Sequence, residues 1–227
     1  MKRTTKFNDK NRIDMSDTVN EESAKGKGGS IRAKNRQRIL YAAEQEFAKY
    51  GFKGTSVQAI ADSVELPKAN ILYYFKSKTG LYKALLTDIL EMWNQGFSVE
   101  TNQQAPDEVI RRYIIEKMRY SRTHPMRSKI FAMEIIQGAP IIRDAIEQPM
   151  VVWSKSKVNV IQTWIDEGLI PKVNPLYLLF LIWGTTQFYA DFDSEIELIN
   201  GRSLDDKEFI EAGNFTVNIV LKGLGLR

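Results

Sequence analysis

Between Gly51 and Leu86 the chain reads GFKGTSVQAIADSVELPKANILYYFKSKTGLYKALL, a helical apolar period broken twice at short intervals. Thr55 and Gln58 form a T-x-x-Q capping box ahead of the apolar positions Val57, Ile60, Ala61 and Val64, which predicts a short helix ending near Val64. Glu65 and Leu66 then make a tight corner, and Pro67 supplies the fixed φ that suits a first helical position. A second short helix is expected over residues 67–75. Ser77 caps a third, which starts at Lys78. Two short helices joined by a tight turn, with Lys and Tyr on the second, form the pattern of a helix-turn-helix that reads DNA.

The run I-A-x-x-V behind Thr55, then a turn, then L-Y-Y-F-x-S-K-x-x-L, resembles the DNA-binding domain of TetR-family transcriptional regulators. The likeness covers residues 31–86. Two positions depart from the family pattern: Glu65 stands where Gly is usual, and Pro67 where a Ser or Thr cap is usual. Without Gly, the turn at Glu65 requires a strained or altered backbone. The expected DNA-binding residues follow from the motif and its chemistry. Lys68, Ala69 and Asn70 open the recognition helix, where base edges are met. Tyr73 and Tyr74 carry hydroxyls for phosphate oxygens, unless one of them packs inward with Leu72 and Phe75. Thr55 and Lys78, at helix starts, are placed for the phosphate backbone.

Charge follows the same division. Residues 31–90 carry 10 Lys/Arg against 5 Asp/Glu, whereas residues 91–227 carry 15 against 18. The basic end is the helix-turn-helix end, so its expected partner is a polyanion, a double-stranded and near-palindromic DNA operator. Residues 1–30 lack hydrophobic periodicity and are expected to form a disordered arm. A first helix is expected over residues 31–50, with Ile39, Leu40, Ala43, Phe47 and Tyr50 at helical spacing and Gly51 closing it. The helix from Lys78 continues through Leu85, Ile89 and Trp93 toward Phe97, joining the head to the rest.

From residue 87 to 227 the pattern is helical throughout, with helices expected at 107–123, 125–137, 141–168, 175–200 and 205–223. The expected architecture is all-α: a three-helix head and a larger helical domain for effector binding and dimerisation. There is no cysteine and one histidine, His124, for which a loop or capping role is expected. Asp191, Asp193 and Glu195 cluster in sequence, but only Asp191 and Glu195 share a helix face. No metal, cofactor or catalytic set is expected, and the chain reads as a binding protein rather than an enzyme. The charge-free run 173–190 contains Asn, Pro, Thr and Gln, and reads as a buried core helix in a cytoplasmic protein.

Two stretches of the second domain, SKIFAMEIIQGAP at 128–140 and LIWGTTQFYADF at 181–192, resemble the TetR-family subgroup of pyrimidine-utilisation regulators, which sense uracil and thymine. That likeness implies a small planar effector and assigns the pocket to Trp183 and Gln187, with Trp93 on the connecting helix. Trp183 and Gln187 are four residues apart and share a helix face. An indole offers an apolar plane, and an amide complements a carbonyl beside an imide N–H. Gly184 opens space, Thr186 and Tyr189 add hydroxyls, and Gln137 borders the pocket. A core Trp beside a hydrogen-bonded Gln, with Gly184 at a helix contact, is the alternative. The resemblance also implies a homodimer through the last two helices, with Leu179, Phe180, Ile182, Phe215, Val217, Val220 and Leu221 at its surface. An enzyme with a DNA-binding head and an effector-free DNA-binding protein are the competing readings.

Overall fold

The computed structural model describes residues 16–94, 97 and 104–226, with side chains described from residue 31 onward. Among the described residues ten helices follow in order: α1 Ser16–Gly54, α2 Val57–Ser63, α3 Lys68–Phe75, α4 Lys78–Asn94, α5 Pro106–Thr123, α6 Pro125–Ile136, α7 Arg143–Asp166, α8 Pro175–Asp191, α9 Asp193–Asn200 and α10 Asp206–Gly223. Among the described residues there is no strand, and no helix is long and apolar enough to cross a membrane. The helix α1 is described from Ser16, ahead of the start that apolar spacing gives. Of the arm expected over residues 1–30, residues 1–15 lie outside the described residues.

Local chemistry explains most boundaries. Gly51 takes φ 66°, a conformation open to glycine, and interrupts α1 at the expected place. The cap of α2 is Ser56, whose Oγ accepts from the Ala59 N–H, and not Thr55. The expected T-x-x-Q box is therefore corrected by one residue: Thr55 turns its hydroxyl inward, and the Gln58 amide reaches Asp62 instead. Pro67 is the N-cap of α3 rather than its first residue, with ψ 139°. Glu65 occupies φ 55°, so the tight turn is made in the left-handed region without glycine. Asp205 and Glu208 complete a capping box on α10.

The single helix expected over 175–200 is two, α8 and α9, hinged at Phe192. Asp193, at the hinge, accepts a hydrogen bond from Lys129 Nζ at 2.6 Å, an anchor from another helix that sequence periodicity does not register. Pro149 sits inside α7, where it removes one helical hydrogen bond.

Two apolar clusters form the interior. The first joins Ile39, Ala43 and Phe47 of α1, Ile60 of α2, Ile71 and Phe75 of α3, and Leu81, Leu85 and Ile89 of α4, and it continues into Trp93, Ile130 and Phe131. The second joins Tyr113 and Ile114 of α5, Ile161 and Trp164 of α7, Leu179 and Ile182 of α8, and Val217 and Leu221 of α10. The helix α4 thus carries head packing directly onto α6.

Candidate nucleic-acid interface and effector chamber

The head presents the opening of α3 to solvent. Lys68, Ala69 and Asn70 are all exposed, with the Asn70 N–H closing on the Pro67 carbonyl at 2.8 Å. Tyr73 is 60% exposed, with Arg32 and Lys76 near its ring face, whereas Tyr74 is half-buried against the head core. The structure thereby divides the two tyrosines, one outward and one inward. Arg36 also lies on this side, paired with Asp88 at 3.5 Å.

Thr55 and Lys78 have different surroundings from those expected of phosphate ligands. The Thr55 side chain is buried, and its hydroxyl donates to the Gly51 and Glu46 carbonyls at 2.9 and 3.0 Å. The Lys78 ammonium donates to the Thr55 carbonyl at 2.7 Å and sits 4.5 Å from the Phe52 ring centre. Together these residues lock the start of α4 to the end of α1. An ammonium has three donors, so Lys78, half-buried, keeps hydrogen-bonding capacity after making this contact.

Two polar contacts tie the head to α6. Arg127 donates to the nearly buried Glu44 carboxylate at 2.9 Å. Tyr82 donates to Glu134 at 3.3 Å, and the other oxygen of Glu134 accepts from the Ile141 and Ile142 N–H groups. Burial first, then the Glu134 carboxylate, raises the pKa of the Tyr82 phenol. Glu134 therefore fastens α4, α6 and the start of α7 at one point.

Behind α6 lies an interior of aromatic rings and charges. Trp183 on α8 stacks on Trp153 of α7, with centroids 5.3 Å apart and planes 12° from parallel. Its indole N–H donates to the Tyr113 hydroxyl at 2.8 Å. The plane expected to receive a ligand is thus covered by another tryptophan on one side. Trp93 is buried edge-on to Phe131, with the Lys117 ammonium 4.3 Å from its ring centre. Lys157 places its ammonium 2.6 Å from the Phe97 carbonyl and 4.4 Å from the Trp153 ring centre. Burial depresses the pKa of both lysines to about 7, and Asp191 partly offsets this for Lys117. Burial raises the Asp191 pKa, while Ser128, Lys117 and Lys129 pull it back down.

The remaining expected pocket residues fall in different places. Gln187 is half-buried one turn beyond Trp183. Thr186 is fully buried, but its hydroxyl donates to the Ile182 carbonyl of its own helix, leaving it a structural part. Tyr189 packs on Phe188 and Phe209, facing α10. Gln137 is exposed at the C-cap of α6, outside the buried set. Gly184 is exposed and borders an open groove with Phe188 and Phe215, so it serves the outer face of α8.

The resemblance also named a dimer surface, and most of it is corrected. Leu179, Ile182, Val217, Val220 and Leu221 are buried within the chain's own core. Phe180 and Phe215 do face outward, together with Tyr177, Leu181, Phe188 and Ile219. A helix that is apolar all round gives no periodic signal for its free face.

Residues 39–85 match the family described as "Bacterial regulatory proteins, tetR family", and residues 86–227 match "YcdC-like protein, C-terminal region". The HTH-type transcriptional regulator RutR of Escherichia coli (strain K12) is 34% identical over 200 residues, covering 88% of this chain and 94% of that protein. The chain belongs to the TetR family. The HTH-type transcriptional repressor NicS of Pseudomonas putida is 27% identical over 136 residues, covering 60% of this chain and 63% of its own length. Among solved structures, SCO4942 from Streptomyces coelicolor superposes with a TM-score of 0.65 at 23% identity, over 83% of this chain and 97% of that one. AibR, solved with isovaleryl coenzyme A and operator DNA, superposes at 0.63 and 17% identity, over 81% and 96%. These last two speak to fold.

As a TetR-family protein the chain is a ligand-responsive, DNA-binding transcriptional regulator and not an enzyme. Among the described residues no cluster of His, Asp or Glu is arranged to hold a metal ion. Sequence reading missed Tyr113, Lys117, Trp153 and Lys157 of this TetR-family interior. A signal for them existed. Lys117 falls in the apolar stripe of Tyr113, Ile114, Met118 and Ser121, and Lys157 in that of Trp153, Val160, Ile161 and Trp164. A lysine inside an apolar stripe must be buried or snorkel to the surface.

Proposed function

We propose that this TetR-family regulator is a cytoplasmic, homodimeric repressor of pyrimidine-metabolism genes. It leaves a near-palindromic operator when a planar imide such as uracil or thymine enters the interior bordered by Trp93, Trp183 and Gln187. The observation that carries this reading is the conjunction of Trp183 and Gln187 on the inner turns of α8 with the near full-length likeness to RutR. Lys68, Ala69, Asn70 and Tyr73 meet the major groove and its flanking phosphates. Tyr74, Thr55 and Lys78 hold that surface in shape, and Lys78 spares a donor for the backbone. The exposed aromatic and aliphatic side chains of α8 and α10 supply the apolar face for a second copy.

A ligand moves the heads only if it binds their two spacings with different affinity. The Arg127–Glu44 and Tyr82–Glu134 contacts, with α4 itself, join the head to the larger domain and are the route by which such a difference reaches the heads. The test is operator binding by the purified protein with and without uracil. The expected result is a loss of about tenfold or more in operator affinity, equal to about 1.4 kcal/mol of coupling. Gln187→Ala should abolish the response to uracil and leave the salt dependence of DNA binding in place. Operator binding indifferent to uracil and thymine overturns the pyrimidine reading.

A further inference from the structure

The α5–α7–α8 interior holds more positive charge than its packing needs. Lys117 and Lys157 are 3% and 1% exposed, and among the described residues neither makes an ion pair. Each lies instead against aromatic rings, Lys117 against Trp93 and Lys157 against Phe97, Tyr113 and Trp153. Lysine is rarely buried this deeply unless paired, because an unpaired ammonium in a low-dielectric interior is expensive. One carboxylate, Asp191, faces Lys117, and it is itself shared with Lys129 from α6. The other titratable groups facing the pair are each lysine toward the other and the Tyr113 phenol, with the Lys129–Asp193 ion pair behind Asp191.

A second observation points the same way. Asp191 Oδ1 and the Ser128 hydroxyl are buried within reach of each other and of no other hydrogen-bond partner, and the Trp153 indole N–H is buried and completes no hydrogen bond. Buried polar atoms so short of partners are rare in folded proteins, and here they gather around the two ammonium groups. The arrangement repeats by helix: Tyr113 then Lys117, Trp153 then Lys157, and Trp183 then Gln187, each an aromatic ring followed one turn later by a polar group, with Asp191 a further turn along α8.

We propose that this interior takes its ring ligand as an anion, an acidic imide or a planar aromatic acid held between the Lys117 and Lys157 ammonium groups. The proposal rests on the effector reading above and narrows its chemistry. Charge balances simply. In the proposed ligand-free state, one ammonium, one neutral amine and the Asp191 carboxylate sum to zero. On binding, the ring N–H proton passes to the neutral amine; two ammonium groups, one carboxylate and one ring anion again sum to zero. No covalent bond forms. Burial lets a lysine amine be neutral before binding, and the ring anion beside it then favours its protonated form.

Titration calorimetry in phosphate and in Tris, at mildly alkaline pH, tests this with uracil, 6-azauracil and benzoate. Uracil and 6-azauracil share nearly one shape and differ in N–H acidity. The expected result is that 6-azauracil binds about tenfold tighter than uracil. As an already ionised ring it takes up about one proton from the buffer, whereas uracil brings its own. Lys117→Met and Lys157→Met, each checked for folding by its thermal transition, should bring the affinity ratio close to one and remove the proton uptake. Equal affinities with no difference between the two buffers overturn the anion inference and leave the pyrimidine reading standing. Binding of benzoate with proton uptake, but of neither pyrimidine, overturns the pyrimidine reading and supports the inference. No binding by any of the three rejects both.

Discussion

The head and the interior behind α6 handle buried polar groups in opposite ways. In the head, the buried Thr55 hydroxyl has two carbonyl acceptors, Lys78 has the Thr55 carbonyl, and Glu44 has Arg127. In the larger domain and at the end of α4, Asn94, Trp153 and Trp164 each leave a buried polar atom without a partner, Ser128 and Asp191 Oδ1 have only each other within reach, and two lysines are buried without ion pairs. A head that must present a fixed surface to DNA has these buried polar groups closed by hydrogen bonds, one of them donated from α6. The interior of the larger domain, where the effector is proposed to bind, is left with unused bonding capacity. The contrast makes the head a rigid reporter and the body the part whose energy changes on binding.

The largest expected effect tests the rigidity of the head. Phe47 is fully buried against Phe52 and Tyr82, so Phe47→Ala should destabilise the protein by about 3–5 kcal/mol in urea unfolding. Truncation in the body should reverse the sign. Lys157→Met removes a buried cation and keeps its volume but gives up the hydrogen bond to the Phe97 carbonyl, and on balance should stabilise the protein by up to about 2 kcal/mol at neutral pH. The pH dependence separates the two regions further. Burial holds both lysines near 7 in the folded protein against 10.5 in the unfolded chain. Between those values the unfolded chain binds more protons, so the stability of the ligand-free protein should rise with pH across that window and level off above it. Lys157→Met should flatten the rise. A destabilised Lys157→Met variant with an unchanged pH profile would break the comparison.

Two smaller effects sharpen it within the head. Thr55→Val removes a buried hydroxyl donor from the Gly51 and Glu46 carbonyls, and should lower stability by about 1–2 kcal/mol while leaving the salt slope of operator binding alone. Lys78→Ala should lower that slope by about one counterion, because its ammonium retains free donors beside the groove. A salt slope unmoved by Lys78→Ala would make this lysine a purely internal brace.

Much of the fold was legible because its determinants are local. The breaks around Gly51, Glu65 and Ser77 and the apolar spacing of residues 39–89 placed the head helices, and Pro125, Gly168 and Gly201 placed most ends in the body. Errors of one residue at Thr55 and Pro67 arose where two adjacent residues can serve as caps. The split between α8 and α9 at Phe192 went unseen, and the contact beside it, Lys129 on Asp193, comes from a helix distant in sequence. The candidate site was legible only in part: the family likeness named Trp93 and Trp183, which the structure places with the buried aromatic rings, and Gln187, which is half-buried, whereas Gln137 lies on the surface and Thr186 bonds to its own helix.

By itself, the order of residues determined an all-helical chain with a basic reading head, its recognition helix and its membership of one regulator family. Those properties depend on period, turn chemistry and motif, each contained within a few neighbouring residues. Tertiary structure alone decided which face of the almost uniformly apolar α8 is free. It turned Tyr74 inward and Tyr73 outward, laid Trp153 over Trp183, and sealed Lys117 and Lys157 among aromatic rings. The physical reason is that burial and pKa belong to the surroundings of a side chain, and here those surroundings are assembled from helices far apart along the chain.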